Sequence, residues 1–492
     1  MKTAFDNNKY IKLQSKKIKD RMKLFPDKLY LEFGGKLYDD YHASRVLPGF
    51  DANVKVRLLE ELKDDCEVVF CINANDIEKN KIRADYGITY DMELLRLIDR
   101  LTERGILVSS VVITLYQGQS SASKFQRKLE QKGIKTYIHT PTKGYPTDVD
   151  TIVSDEGYGA NPYIVTTRKL VIVTAPGAGS GKLATCLSQL YHDYKNLTLS
   201  GYAKFETFPV WDLPLKHPIN LAYEAATADI YDKNMVDFFH LEKYGVVAIN
   251  YNRDLETFPI LKNVLLKICG KEVYSSPTDM GVNTVSQCIT NDELVISASC
   301  QEIIRRYYKA RCDYRLGIVD DKIPERIKII MNELNLTSTD RKVVKPALDK
   351  LKTSNHQAIS LELNPKKIIT GRATELLSPA SSLILNAIKT LTKIPDEVNL
   401  LSPSVLEPII KLKRQLNEEV TLLSLEEVLI ALSICSATNP IVERALDNLK
   451  KLNNCEAHAT YILEDGDLKA LRSLKINFTC EAEYYSDIVL NN

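Results

Sequence analysis

Short apolar runs alternate with amphipathic stretches in the N-terminal part of the chain. The runs are of the kind found in buried parallel strands, and glycines such as Gly105 and Gly133 end the stretches between them. They comprise Cys66 to Ile72, Ile106 to Thr114 and Ile134 to Ile138. Between the first and second runs, Met92, Leu95 and Ile98 share one helical face. This alternation predicts a doubly wound, mostly parallel α/β sheet.

A change of pattern near Asp320 to Pro324 indicates a domain boundary. Before it, Gly245 to Asn250 is predicted as a further strand and Cys300 to Leu316 as a helix. After it we expect a hairpin around Asn364-Pro365, several helices and a final strand, helix and strand. We therefore predict a multidomain α/β protein. Its parts are an α/β domain at 1–230, a mixed and largely helical continuation at 231–322, and a smaller three-layer α/β domain at 323–492.

The segment Ala175 to Lys182, which we call the glycine loop, carries the strongest chemical pattern. An apolar strand, Lys169 to Thr174, precedes it, and an amphipathic helix to Tyr194 follows it. Glycines allow the backbone N–H groups to curl inward, while the helix start and a lysine add positive charge. The pattern predicts a phosphate site; its members are Gly177, Gly179, Ser180, Gly181 and Lys182. The alternative is a plain strand-to-helix turn with a solvated lysine.

The glycine loop departs from the common nucleotide-binding pattern G-x-x-x-x-G-K-[ST] at two positions. Pro176 stands where the first glycine belongs, and Leu183 stands where a hydroxyl side chain would bind Mg²⁺. These departures argue against standard Mg·ATP hydrolysis and leave phosphate binding intact.

Charged side chains elsewhere are candidates for completing such a site. Asp76 and Asp254 follow predicted strands, where open α/β sheets place ligands, and would hold Mg²⁺ or a substrate hydroxyl. Arg253, Arg305 and Arg306 would bind phosphate or stabilise developing charge. The alternatives are helix capping for the acids and surface ion pairs for the arginines.

Charge and cysteine content limit the remaining classes of function. Lys plus Arg number 65 and Asp plus Glu number 64, which gives a net charge of +1. A charge this small does not attract nucleic acid or an anionic membrane over long distances. The N-terminal MKTAFDNNKY lacks the apolar run of a signal peptide, and no stretch resembles a membrane span. We expect a cytoplasmic protein with reduced cysteines. Cys455, His458 and Cys480 are weak candidates for a metal site, with buried thiols as the alternative.

Several longer runs resemble the bacterial family known as domain of unknown function 1846. They include VLPGFDANVKVRLL, APGAGSGKLATCLSQLYHD, YNRDLETFP, SPTDMGVN, ATNP and CEAHAT. The resemblance covers essentially the whole chain and implies a cytosolic bacterial protein with a multidomain α/β fold, but no reaction. It also implies a C-terminal part similar in architecture to the cytidine deaminases. The deaminase pattern H-x-E…P-C-x-x-C is absent, so that activity is not expected.

The leading hypothesis is a protein that binds a nucleotide or phosphorylated metabolite and transfers or hydrolyses a phosphoryl group, with Mg²⁺ as a candidate cofactor. The alternative is a non-catalytic sensor of a phosphorylated metabolite or an oligomeric scaffold. We expect a homo-oligomer without nucleic-acid or membrane partners. A metal-dependent enzyme using the C-terminal cysteines and histidine is a weaker alternative.

Overall fold

The computed structural model describes residues 3–83, 87–364, 366–416 and 422–486. The chain divides into two compact units, Met1–Ser299 and Cys300–Asn492. The protein is mixed α/β, with a seven-stranded parallel sheet in the first unit and a smaller sheet in the second. The multidomain α/β prediction is therefore confirmed, while the domain limits predicted at residues 230 and 322 stay predictions. No helix among the described residues is long and apolar enough to cross a membrane.

The strands of the first unit are short and mostly buried. They are β1 (Lys28–Phe33), β2 (Cys66–Asn73), β3 (Ile82–Arg83), β4 (Ile88–Thr89), β5 (Leu107–Thr114), β6 (Thr136–Ile138), β7 (Leu170–Thr174), β8 (Ser200–Phe205), β9 (Asn234–Val236), β10 (Ile249–Tyr251) and β11 (Gly281–Val282). The main sheet has the order β11-β8-β1-β7-β2-β5-β6, and β9 with β10 and β3 with β4 form separate two-stranded sheets.

Helices connect these strands. They are α1 (Asn7–Lys23), α2 (Tyr41–Val46), α3 (Val54–Glu61), α4 (Ala74–Glu78), α5 (Tyr90–Thr102), α6 (Ser120–Gln131), α7 (Val149–Ile152), α8 (Lys182–Lys195), α9 (Pro218–Ala226), α10 (Phe238–Tyr244), α11 (Asn252–Cys269) and α12 (Pro277–Met280). Helix α13 (Asp292–Arg315) contains the boundary between the units.

The strand order places β7 in the middle of the sheet. The chain runs from β1 through β2 and β5 to β6 on one side, returns to β7 beside β1, and then continues to β8 and β11 on the other side. A parallel sheet binds ligands outside its carboxyl edge where such a reversal occurs. The loop after β7 therefore lies where the topology favours a ligand site.

Both faces of the main sheet are buried. Tyr30, Val171 and Tyr202 share one core with apolar side chains of α8 and α11. The alternating positions Leu29 and Leu31 point to the opposite face and are buried as well. Strands covered on both faces show continuous apolar runs, which explains why the sequence pattern identified them.

Two features of the main sheet differ from the sequence-based prediction. Gly245 to Asn250 is not a strand of this sheet, because the strand in that region is β10, which pairs antiparallel with β9. The prediction also missed β8, which pairs in parallel with β1 over its whole length. Lys204 lies within β8 and masks its apolar pattern.

The second unit is a smaller α/β domain. Its strands are β12 (Ala358–Leu363), β13 (Lys367–Arg372), β14 (Glu456–Ala459) and β15 (Asn477–Cys480), in the order β13-β12-β14-β15. Its helices are α14 (Lys322–Glu333), α15 (Val344–Ser354), α16 (Pro379–Thr392), α17 (Pro403–Gln415), α18 (Leu425–Ser436), α19 (Pro440–Asp447) and α20 (Asp465–Ser473). The predicted hairpin is present as β12 and β13, and Pro365 lies outside the described residues.

Candidate functional site

The glycine loop joins β7 to α8 at the carboxyl edge of the main sheet. Side chains from β2 and β5 hold it in place: Asn73 Nδ2 donates to the Gly179 carbonyl at 3.2 Å, and Thr114 Oγ1 donates to the Ser180 carbonyl at 2.8 Å. Carbonyl groups of the loop therefore point toward the neighbouring strands. Because both anchors bind carbonyls, they leave the backbone N–H groups of the loop available.

Glycine is required at two loop positions for different reasons. A Cβ atom on Gly177 would lie 2.4 Å from Tyr90 Cε2, so the backbone passes too close to the Tyr90 ring for any side chain. Gly181 has a φ of 77°, and a Cβ atom there would lie 2.9 Å from Thr114 Cβ. The glycines thus serve close packing as well as the left-handed backbone conformation.

The loop contains many polar groups without a partner in the described part of the chain. No backbone N–H from Gly177 to Ala184 donates a hydrogen bond there, and Gly181 caps α8 without any side-chain hydrogen bond. The Ser180 hydroxyl is buried and also has no partner among these residues. Backbone N–H groups in folded proteins normally find a partner, which at an exposed helix start is water or a ligand.

Lys182 is half-exposed at the first position of α8. No hydrogen bond or ion pair of its ammonium group is found within the described residues. Its charge acts on the buried thiols of Cys71 and Cys186, where it opposes the effect of burial, which raises both pKa values. The predicted members of the loop are therefore together at one helix start.

Asp76 lies in the first turn of α4, three residues after Asn73, which binds the glycine loop. Its carboxylate forms an ion pair with Lys81 at 3.2 Å. The Lys81 ammonium lies 5.1 Å from the centre of the Tyr90 ring, which contacts Gly177. Asp76 thus follows β2 at the carboxyl edge of the sheet, where Lys81 balances its charge, and its role in holding Mg²⁺ or a substrate hydroxyl stays a prediction.

Asp254 lies in the first turn of α11. It binds Lys204, which lies near the carboxyl end of β8. Lys204 Nζ donates to both oxygens of Asp254 at 2.9 Å and forms an ion pair with Glu206 at 2.6 Å. Glu32, the neighbour of Lys204 in register on β1, accepts a hydrogen bond from Tyr202 at 2.7 Å. We call Glu32, Lys204, Glu206 and Asp254 the lysine–carboxylate cluster.

The lysine–carboxylate cluster has unusual electrostatics because it is mostly buried. Burial raises the pKa of Glu206 to about 7, with further increases from Asp254 and Glu32, while Lys204 acts in the opposite direction. Burial also lowers the pKa of Lys204, but the neighbouring carboxylates outweigh it and hold that pKa above its ordinary value. Lys204 therefore stays protonated, and Glu206 titrates near neutral pH.

Sequence reasoning named Asp254 but missed the other three members of this cluster. The available signal was the segment Ser200–Phe205, which follows α8 at the place where a β-α-β alternation expects a strand. Its Tyr202 and Phe205 favour a strand, whereas its glycine and lysine argue against one.

The arginines named from sequence are held by acidic neighbours. Arg253 is exposed and forms an ion pair with Asp232 at 3.2 Å. Arg305 and Arg306 lie in the second unit, and both bind Glu302 on the same helix, with Nε distances of 2.8 and 2.9 Å. Their role in phosphate binding stays a prediction.

The cysteines and histidine of the C-terminal unit do not converge on one point. His458 pairs in register with Thr479, and the next pair is Ala459 with Cys480, so the two side chains point to opposite faces. Cys455 lies four residues before Ala459 in sequence, roughly 13 Å along the strand direction. His458 Nδ1 instead lies 2.9 Å from Thr479 Oγ1. The part of the chain that the structure describes has no cluster of His, Cys, Asp or Glu suited to a metal ion.

The fold and the site define a class: α/β proteins with a glycine-rich strand-to-helix turn at the carboxyl edge of a parallel sheet. The family model described as "Domain of unknown function DUF1846, N-terminal" matches residues 3–335, and "Domain of unknown function DUF1846, C-terminal" matches residues 339–489. The chain therefore belongs to this family, and the resemblance noted in its sequence is confirmed.

Bacterial relatives extend over the full length of the chain. It is 55% identical over 502 residues to a UPF0371 protein of Clostridium tetani (strain Massachusetts / E88), with 100% of each chain covered. It is equally similar, over the same coverage, to a UPF0371 protein of Clostridium botulinum (strain Kyoto / Type A2). The names of these relatives do not state an activity.

Proposed function

We propose that the first unit binds the phosphate group of a nucleotide or a phosphorylated metabolite at the glycine loop. The observation that carries the proposal is the set of N–H groups from Gly177 to Ala184 that lack partners within the described residues. Consecutive free N–H groups at a helix start form an anion site, because the helix dipole adds to their partial positive charge.

The charges around the loop support an anionic ligand. The first turn of α8 has no acidic residue, and Lys182 lies there without a carboxylate partner in the described part of the protein. The buried Ser180 hydroxyl adds a donor that no described protein group uses. Hydrogen bonds to a charged ligand are stronger than those between neutral groups, so each of these donors favours phosphate over a neutral ligand.

The proposal is tested by replacing Lys182 with alanine and measuring phosphate binding by titration calorimetry. The panel contains inorganic phosphate, ADP, ATP and sugar monophosphates. We expect Lys182→Ala to weaken binding at least tenfold, because it removes the only full positive charge in the loop. Lys132→Ala, at an exposed lysine following α6, is the matched control and should bind like the wild type. Equal affinity of the wild type and Lys182→Ala would contradict the proposal.

Whether phosphoryl transfer or hydrolysis accompanies binding depends on the metal. Leu183 occupies the position of the usual Mg²⁺-binding hydroxyl, which favours a non-catalytic phosphometabolite sensor as the second candidate function. Thermal-shift measurements with and without Mg²⁺ separate the two. Stabilisation that is indifferent to Mg²⁺, without turnover, supports the sensor, whereas Mg²⁺-dependent stabilisation with release of phosphate supports the enzyme.

A further inference from the structure

The lysine–carboxylate cluster and the glycine loop share one face and one edge of the main sheet. Glu32 pairs in register with Val173 of β7 on one side and with Lys204 of β8 on the other. Paired residues of parallel strands point to the same face, and two strand spacings amount to about 10 Å. The charges of Glu32 and Lys182 both act on the buried thiol of Cys186, a residue of α8 that belongs to the same core as Val173.

We infer that the phosphate ligand is a sugar or polyol monophosphate whose hydroxyl groups bind the lysine–carboxylate cluster. This inference rests on the proposed function, because it requires the phosphate group to lie in the glycine loop. The strands that lead into the glycine loop and into the cluster, β7 and β8, lie about 10 Å apart, a lateral spacing that a small ligand with a phosphate at one end and hydroxyl groups at the other can span.

The composition of the cluster selects the chemistry of that second end. Three carboxylates surround one lysine, so the net charge is negative and repels a second phosphate. In the described residues, Glu32 Oε1 and Glu206 Oε2 have no hydrogen-bond partner, and the oxygens of an ionised carboxylate accept hydrogen bonds. The side chains of Lys204, Glu206 and Asp254 remain 22, 14 and 19% exposed, so a ligand can reach them. A neutral group with O–H donors satisfies these conditions.

An unused hydroxyl group beside the cluster points to a ligand independently of the carboxylates. Tyr251 is only 8% exposed, and its hydroxyl has no partner within the described residues. The charge of Asp232 acts on it most strongly, followed by the charges of Glu206, Asp254 and Lys204. Glu206, but not Tyr251, also lines a cavity of about 10 Å³, which has room for about one water molecule. A ligand hydroxyl, or a water that it orders, would complete this network.

The test compares ligands that share a phosphate and differ at the other end. Titration calorimetry uses inorganic phosphate, hexose monophosphates, an aminohexose monophosphate and ADP. We expect a hexose monophosphate to bind at least tenfold more tightly than inorganic phosphate or ADP. Glu206→Gln and Asp254→Asn should abolish this advantage while leaving the affinity for inorganic phosphate within twofold.

Two further variants separate binding from folding. Tyr251→Phe removes a hydroxyl without a described partner, so the fold should be retained while hexose monophosphate affinity falls about threefold. Tyr194→Phe, in the last turn of α8, is the matched control and should not change affinity.

The outcomes distinguish this inference from the proposed function. Failure of inorganic phosphate to bind, or binding that ignores Lys182→Ala, overturns both. A different result would overturn only the inference. In that case phosphate binding depends on Lys182, but the affinity for hexose monophosphate is unaffected by Glu206→Gln and Asp254→Asn. The inference is also overturned if ADP binds more tightly than hexose monophosphate, because the cluster would then prefer a second phosphate. It is overturned as well if the aminohexose monophosphate binds tenfold more tightly than hexose monophosphate, because the cluster would then prefer a cation.

Discussion

Replacing Glu206 with glutamine should change how the stability of the first unit depends on pH. The folded protein raises the pKa of Glu206 from 4.5 to about 7 because burial opposes ionisation. The folded state therefore holds a proton that the unfolded state releases between these pH values, and stability falls as pH rises through them. One pKa unit corresponds to about 1.36 kcal/mol, so the full change is about 3 kcal/mol.

The assay is urea unfolding followed by the fluorescence of Trp211, the single tryptophan of the chain. Trp211 lines the same small cavity as Glu206 and reports on the first unit. The difference in unfolding free energy between the wild type and Glu206→Gln reports on this carboxyl group and on the neighbours that interact with it, because all other titrating groups behave alike in both proteins. From pH 4 to pH 8 the wild type should lose about 3 kcal/mol relative to the variant.

Burial and three charged neighbours together determine the sign of this effect. Lys204 on β8 favours the ionised form of Glu206, whereas Asp254 on α11 and Glu32 on β1 disfavour it together with burial. A wild type that gains stability relative to Glu206→Gln over this pH range would refute the reasoning, since the lysine would then outweigh burial. If the difference in unfolding free energy between the two proteins does not change with pH, the pKa of Glu206 has its ordinary value in the folded protein. That result would refute the reasoning as well.

Two other substitutions probe the glycine loop and a buried ion pair elsewhere in the first unit. Gly177→Ala should weaken inorganic phosphate binding at least tenfold in calorimetry, because its methyl group would meet the Tyr90 ring and displace the loop; Gly105→Ala, at a glycine of positive φ with nothing within 4 Å, should leave binding unchanged. Asp40→Asn should destabilise the first unit by about 3–5 kcal/mol in urea unfolding, because it leaves the buried Lys55 ammonium without its carboxylate. A loss below about 1 kcal/mol would show that the Lys55 charge does not need Asp40.

Elements with a local cause were predictable from the sequence. The apolar run Cys66 to Ile72 corresponds to β2, because a strand buried on both faces is apolar at consecutive positions. The glycine loop was predictable for a similar reason: strand, glycines, lysine and helix follow one another within one short segment. The segment did not indicate which side chains from other parts of the chain lie at the same sheet.

The tertiary structure alone brought Glu32, Lys204 and Asp254 together. Lys204 and Asp254 are 50 residues apart in sequence, and Glu32 belongs to a strand near the start of the chain. Their proximity follows from the position of β8 beside β1, and strand order is a property of long-range pairing that local patterns do not encode. The burial that raises the pKa of Glu206 also exists only after α11 packs over the sheet. The sequence thus determined the glycine loop between β7 and α8, because its strand, glycines and helix start follow one another locally, whereas the fold decided which distant charged side chains come together at the main sheet.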